Sequence, residues 1–150
     1  MYTAQASIYV DVNPQNTWDC VSSYGNLSVW MSDIETVETL SGQYSAKSRS
    51  TFASWKTITT VMNAPQYLAW ESFEGDFRTT GFIHIQPDGT GSRITVNIEC
   101  VVTVGMTGEV LKVTLNDPQK ILEQNLEELS HRLSVISNDA MRQQKTRPLN

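Results

Sequence analysis

The longest regular pattern of apolar positions lies near the C-terminus. Leu122, Leu126, Leu129, Leu133 and Ile136 recur at steps of four and three, which places them on one stripe of a helix. Asp117-Pro118 supplies a start, because an Asp can accept from the free N–H groups of a first turn and a Pro there gives up no needed donor. The pattern predicts a helix over Asp117–Met141. Glu127 and His131, and Glu128 and Arg132, stand four apart on its polar side, acid before base, each pair worth about 0.2–0.5 kcal/mol. One long amphipathic helix needs one broad apolar surface to lie on.

The preceding chain reads as that surface. Ala6, Ile8 and Val10 alternate with Ser7, Tyr9 and Asp11, predicting a strand over Ala4–Val12. Asn13-Pro14 ends it and opens a helix that turns Trp18, Cys20 and Val21 inward and closes near Tyr24-Gly25-Asn26. A second short helix, Leu27–Ser32, presents Leu27, Trp30 and Met31. From Ile34 the period changes to two. Strands are predicted over Ile34–Leu40, Gln43–Phe52, Trp55–Met62, Gln66–Phe73, Arg78–Gln86 and Ser92–Val102. Asn63-Ala64-Pro65 and Glu74-Gly75-Asp76 break the chain between them, and Pro87-Asp88-Gly89-Thr90-Gly91 is the clearest hairpin signal. Ile94, Val96, Ile98, Cys100 and Val102 hold one apolar face through the last strand, and Gly81, Ile83 and Ile85 are in phase on the one before. Leu68 and Trp70 share a face opposite Tyr67, Ala69 and Phe73. Short turns imply antiparallel neighbours, since a parallel pair needs a long crossover. Thr103–Asn116 is apolar but pliable, with Gly105 and Gly108, and fits neither pattern. Gln43–Phe52 is strongly polar. A slip of one residue there or in Trp55–Met62 would turn Tyr44, Arg49 and Trp55 to the other face.

Composition narrows the function. At 150 residues the chain predicts one domain, residues 1–142, followed by a disordered tail over 143–150 rich in Arg, Gln, Lys and Pro. A net charge of −5 argues against a nucleic-acid partner. No apolar run approaches the roughly 18 residues of a membrane span, and the N-terminus lacks the pattern of a signal peptide. Cytoplasmic residence is therefore expected, with Cys20 and Cys100 as free thiols rather than a disulfide. There is no phosphate loop, no CxxC or HxxxH set and no Ser–His–Asp spacing, so no cofactor, metal or catalytic residue is assigned. His84 lies between Ile83 and Ile85 and should point away from them, and His131 falls on the polar side of the helix. Cys100 has the apolar phase of a buried, inert thiol.

Four phrases, in order, resemble one superfamily. Ile8-Tyr9-Val10-Asp11-Val12-Asn13-Pro14 with Trp18 is similar to the strand-to-helix opening of START lipid-transfer domains, birch-pollen allergens and polyketide cyclase/dehydrases. Pro65 with Leu68-Ala69-Trp70-Glu71-Ser72 resembles that group's Pro-led Ala-Trp strand. Gly81-Phe82-Ile83 with Gly91-Ser92-Arg93-Ile94-Thr95-Val96 resembles its hairpin, and Asp117-Pro118 with Asn125-Leu126-Glu127-Glu128-Leu129 its last helix. The nearest branch is that of the bacterial cyclase/dehydrase-like proteins, similar to the coenzyme-Q-binding chaperones. Such relatives often carry Pro-Gly-Gly after the last strand, where this chain has Val104-Gly105-Met106-Thr107-Gly108.

The resemblance implies an α+β helix-grip fold. A curved antiparallel sheet of seven strands wraps a long C-terminal helix, with two short helices after the first strand. It also implies a hydrophobic small molecule, such as a lipid, quinone or polyketide, held between sheet and helix. Trp30, Tyr44, Arg49, Trp55, Trp70, Arg78, Ile83, Ile98 and Leu126 are the expected lining. For the tryptophans the competing reading is plain core packing, and for Tyr44, Arg49 and Arg78 a solvated strand position. Three functions stay open: a non-catalytic binding or transfer protein, a polyketide aromatase/cyclase, and a dimeric interaction module with a collapsed pocket.

Overall fold

The computed structural model describes residues 2–22, 34–40, 43–48, 54–102 and 118–146. The expected second helix (27–32), Trp30, Arg49 and the segment 103–116 lie outside them. The chain runs β1 (Tyr2–Val10), α1 (Pro14–Val21), β2 (Ile34–Leu40), β3 (Gln43–Ser48), β4 (Ser54–Asn63), β5 (Tyr67–Gly75), β6 (Phe77–Asp88), β7 (Gly91–Val102) and α2 (Pro118–Thr146). The strands form one curled antiparallel sheet in the order β1-β7-β6-β5-β4-β3-β2. Every strand from β2 onward pairs with its sequence neighbour, and β1 closes beside β7.

Local chemistry explains the ends of the elements. Asn13 caps α1, its side chain accepting from Asn16 N at 2.8 Å, and Pro14 occupies the first turn. The helix stops at Val21, earlier than Tyr24, where Ser22 N donates to Trp18 O at 2.8 Å. Asp88 pairs with Gly91 around the two-residue turn Gly89-Thr90. α2 continues to Thr146, so residues 143–146, expected in a tail, are helical.

Leu122, Leu126, Leu129 and Leu133 are all buried and join Ile83, Ile85, Ile94 and Val96 in one core cluster. Opposite them Glu123, Glu127, Glu128, His131 and Arg132 are exposed, with Arg132 3.4 Å from Glu128. The backbone of α2 lies closest to β1. Gln119 fixes the two together. Its side-chain oxygen accepts from Gln5 N at 3.0 Å, and its nitrogen donates to Gln5 O at 2.6 Å. β1 is an edge strand, so this one amide occupies a main-chain pair that would otherwise stand open.

Candidate functional site

The register sorts the helix-facing side of the sheet into rows. Ile8, Ile94 and Ile85 form one, and Ala6, Val96, Ile83 and Leu68 the next. These rows are aliphatic. The following row runs Ala4, Ile98, Gly81, Trp70, Thr59, and the one beyond it carries Cys100, Thr79, Ser72, Thr57 and Tyr44. Along the strands, therefore, one face passes from hydrocarbon to hydroxyl.

Two glycines shape this region. A Cβ on Gly81 would overlap the Trp70 ring and the Asn97 carbonyl, so the indole lies across Gly81 only because no side chain is there. Gly75 has φ +124° and sits against the Trp55 backbone, where a side chain would strike Ser54 O. The adjoining corner is tied by Asp76, which bonds Ser54 through its carboxylate (3.0 Å) and its N–H (2.9 Å).

Of the expected lining residues, Tyr44, Trp55, Trp70, Ile83, Ile98 and Leu126 share the interior side. Tyr44, Ile83 and Leu126 are buried, while Trp55, Trp70 and Ile98 are only half-buried although they have the inward phase. Arg78 does not belong with them. It is exposed, and its register opposite Val101 puts it in phase with outward Thr80 and Phe82, because the inward phase of β6 runs through Thr79, Gly81 and Ile83. His84 also faces outward, edge-on to Tyr67 at 6.0 Å.

Sequence reasoning missed Thr57, Thr59, Ser72 and Asn125. Asn125 is a buried polar residue on the apolar side of α2. The Ser72 hydroxyl accepts from Thr79 N at 2.7 Å, just past Glu71 and Thr80, the last paired positions of β5 and β6. Thr57 Oγ and Thr59 Oγ are buried and make no hydrogen bond. The available signal was cross-strand: Thr57 pairs with Tyr44, and Thr59 with Trp70.

Among the described residues the interior holds little that titrates near neutrality. Burial pushes the Tyr44 phenol up to about 12, and the neighbouring Thr57 hydroxyl pulls the other way. Burial pushes Cys100 up to about 11 and raises Cys20, which Arg132 partly offsets. Neither thiol is primed as a nucleophile. Every Lys or Arg whose side chain is described is exposed: Lys47, Lys56, Arg78, Arg93, Lys120 and Arg132. Among the described residues no cluster of His, Cys, Asp and Glu could hold a metal ion, and no helix is long and apolar enough to cross a membrane. A shallow depression of about 340 Å³ opens on the opposite side of the sheet, where Ala69, Glu71, Thr80, Phe82, Asn97 and Glu99 line it.

Residues 1–133 match the family model described as polyketide cyclase/dehydrase and lipid transport. The chain belongs to that family. Solved structures agree on the cyclase/dehydrase and lipid transport fold. A protein of Thermus thermophilus is 18% identical with a TM-score of 0.71, covering 91% of this chain and 99% of its own. A START superfamily protein of Mycobacterium smegmatis is 14% identical with a TM-score of 0.70, over 91% and 99%. An aromatase/cyclase of a Streptomyces species is 10% identical with a TM-score of 0.68, over 89% and 93%. These identities speak to the fold alone and bear out the helix-grip architecture, while the family match bears out the superfamily read from the motifs. Among curated proteins none matches the sequence.

Proposed function

We propose that this member of the family binds a hydrophobic small molecule, a lipid, quinone or polyketide-like compound, between the inward side of β3–β7 and α2, and holds or transfers it without transforming it. The observation that carries the reading is the polarity of β4. Its Ile58 and Val61 face outward and are 36% and 46% exposed, while Thr57 and Thr59 face in. A strand serving only as core would be the other way round. Half-buried Trp55, Trp70 and Ile98 on the same interior side supply broad apolar area next to those hydroxyls. Among the described residues the inward ionisable groups Tyr44 and Cys100 are both pushed to alkaline values, which favours binding over acid–base catalysis by a cyclase.

Native mass spectrometry on protein purified from its own cells tests this, followed by titration with a lipid, a quinone and a polyphenol. A discrete adduct, or saturable uptake of one of the three, is expected. Protein that arrives bare and takes up none of them sinks the proposal.

A further inference from the structure

The edge of the sheet at β1 is closed at one point and open beyond it. The Gln119 amide bonds both main-chain groups of Gln5 on the side turned away from β7. Main-chain groups alternate along an antiparallel strand, so Ser7 and Tyr9 present their N–H and C=O to that same side. Among the described residues they meet no partner there. Both residues are exposed, Tyr9 to 42%. The Ser7 hydroxyl is spent on Thr95 of β7, at 2.6 Å, and does not cover the edge. An edge strand is ordinarily blunted by charge, Pro or a bulge. β1 reads Tyr-Thr-Ala-Gln-Ala-Ser-Ile-Tyr-Val, without a charged residue or a Pro, and it pairs with β7 from Tyr2 to Val10 with no shift.

We infer that β1 is a strand-addition surface and that its occupant is β1 of a second copy, antiparallel about a two-fold axis at Ile8. Gln119 selects that register. Pairing centred on Ser7 would need Gln5 opposite the partner's Tyr9, and the Gln119 amide already fills Gln5. Centred on Ile8, Ser7 meets the partner's Tyr9 and Tyr9 the partner's Ser7, while Gln5 falls opposite the partner's Asp11, past the end of the strand. Each of these pairs exchanges two N–H···O bonds. On the inner side, where Ala6 and Ile8 are only half-buried, Ile8 meets the partner's Ile8 and Ala6 the partner's Val10. The open segment is the same on both copies and brings no charge against another, which suits a self-complementary contact. So short a contact is smaller than the roughly 1,200 Å² of stable complexes, and the dimer is therefore weak.

Sedimentation velocity of the full chain from about 10 µM to about 1 mM should show a monomer passing to a dimer and no larger species, because each copy offers one such edge. Ser7→Pro removes an N–H that β7 does not use, so the sheet keeps its ladder while the edge is blocked. With two of the bonds lost, the dimer should weaken about tenfold or more. Gln119→Ala frees Gln5 for the longer register and should tighten it. Amide hydrogen exchange of the parent tests the same contact without a variant. Protection of Ser7 and Tyr9 should rise with concentration, while exposed Thr3, which turns to the same edge beyond the pairing, stays fast. A chain that is monomeric throughout overturns the inference. So does a dimer that survives Ser7→Pro unweakened, one that Gln119→Ala loosens, or exchange at Ser7 and Tyr9 that does not depend on concentration.

Discussion

Thr57 offers a test of whether the inward polarity of β4 lowers the stability of the fold. Its side chain is 0% exposed and its hydroxyl has no partner. A buried polar group left unsatisfied costs about 1–3 kcal/mol. Thr57→Val replaces that oxygen with a methyl of nearly the same shape and keeps the β-branch a strand favours. The ligand-free protein should therefore gain about 1–2 kcal/mol, the lower part of that range, because a methyl fills the space slightly differently from a hydroxyl. For a chain of this length each kcal/mol raises the melting temperature by roughly 2–4 °C. Urea unfolding followed by tryptophan emission measures the gain, which must come as a shifted midpoint with an unchanged slope. The Thr57→Ser control keeps the hydroxyl and removes a methyl, so it should lose about 1 kcal/mol instead. A Val variant less stable than the parent by a similar amount, at the same slope, would refute the reasoning, since the oxygen would then have to be satisfied in the native protein.

Tyr44→Phe should remove a loss of stability at alkaline pH. The phenol ionises near 10 when unfolded and near 12 when folded, so its contribution is complete below pH 10 and disappears as pH rises toward 12. The unfolding free energies of parent and variant, taken from urea titrations across that window, should diverge by roughly 2–3 kcal/mol. Gly81→Ala drives a methyl into the Trp70 ring and the Asn97 carbonyl, and it should destabilise by about 1–3 kcal/mol and shift the emission of the displaced indole. Leu126→Ala opens a hole in the centre of the core beneath α2 and should cost about 2–5 kcal/mol by urea denaturation, with the loss in unfolding free energy at constant slope.

The parts of the fold legible in sequence were those where period and polarity agree. The leucine stripe of α2, the Asn13-Pro14 start of α1, the β6–β7 hairpin and the bounds of β2 all lie where the patterns put them. β4 was harder for two reasons. Its pairing with β5 shifts between Lys56 and Thr57 and again between Thr59 and Val61, so counting by twos from Trp55 loses phase before Met62. Its Ile58 and Val61 also face out, against the rule that the count relies on. Arg78 was misplaced by treating a long polar side chain as free to reach inward. Alternation across β6 decides the matter, because an Arg one step from Thr79 stands on the other surface. α2 overran its expected end because Arg, Gln and Lys are good helix formers; their polarity was read as a tail.

The direction of β4 bears on the three functions still open at the sequence level. Fully burying an Ile or Val side chain is worth about 1.5–3 kcal/mol. Ile58 and Val61 stand next to inward positions and could have been used there, yet they are exposed while unpartnered hydroxyls take the interior. Stability alone would not choose that arrangement. A partner docked on the outer side would account for the exposed Ile58 and Val61 but not for Thr57 and Thr59, which such a partner could not reach. A catalytic reading would ask for inward groups that exchange protons near neutrality, and burial has moved Tyr44 and Cys100 the other way. Binding of a small molecule on the inner side, as proposed, gives the inward hydroxyls a use, and Ile58 faces out because alternation along β4 puts it opposite its neighbours Thr57 and Thr59. The aliphatic rows serve the helix and hold the domain together, and the hydroxyl row is where the interior departs from what stability alone would select.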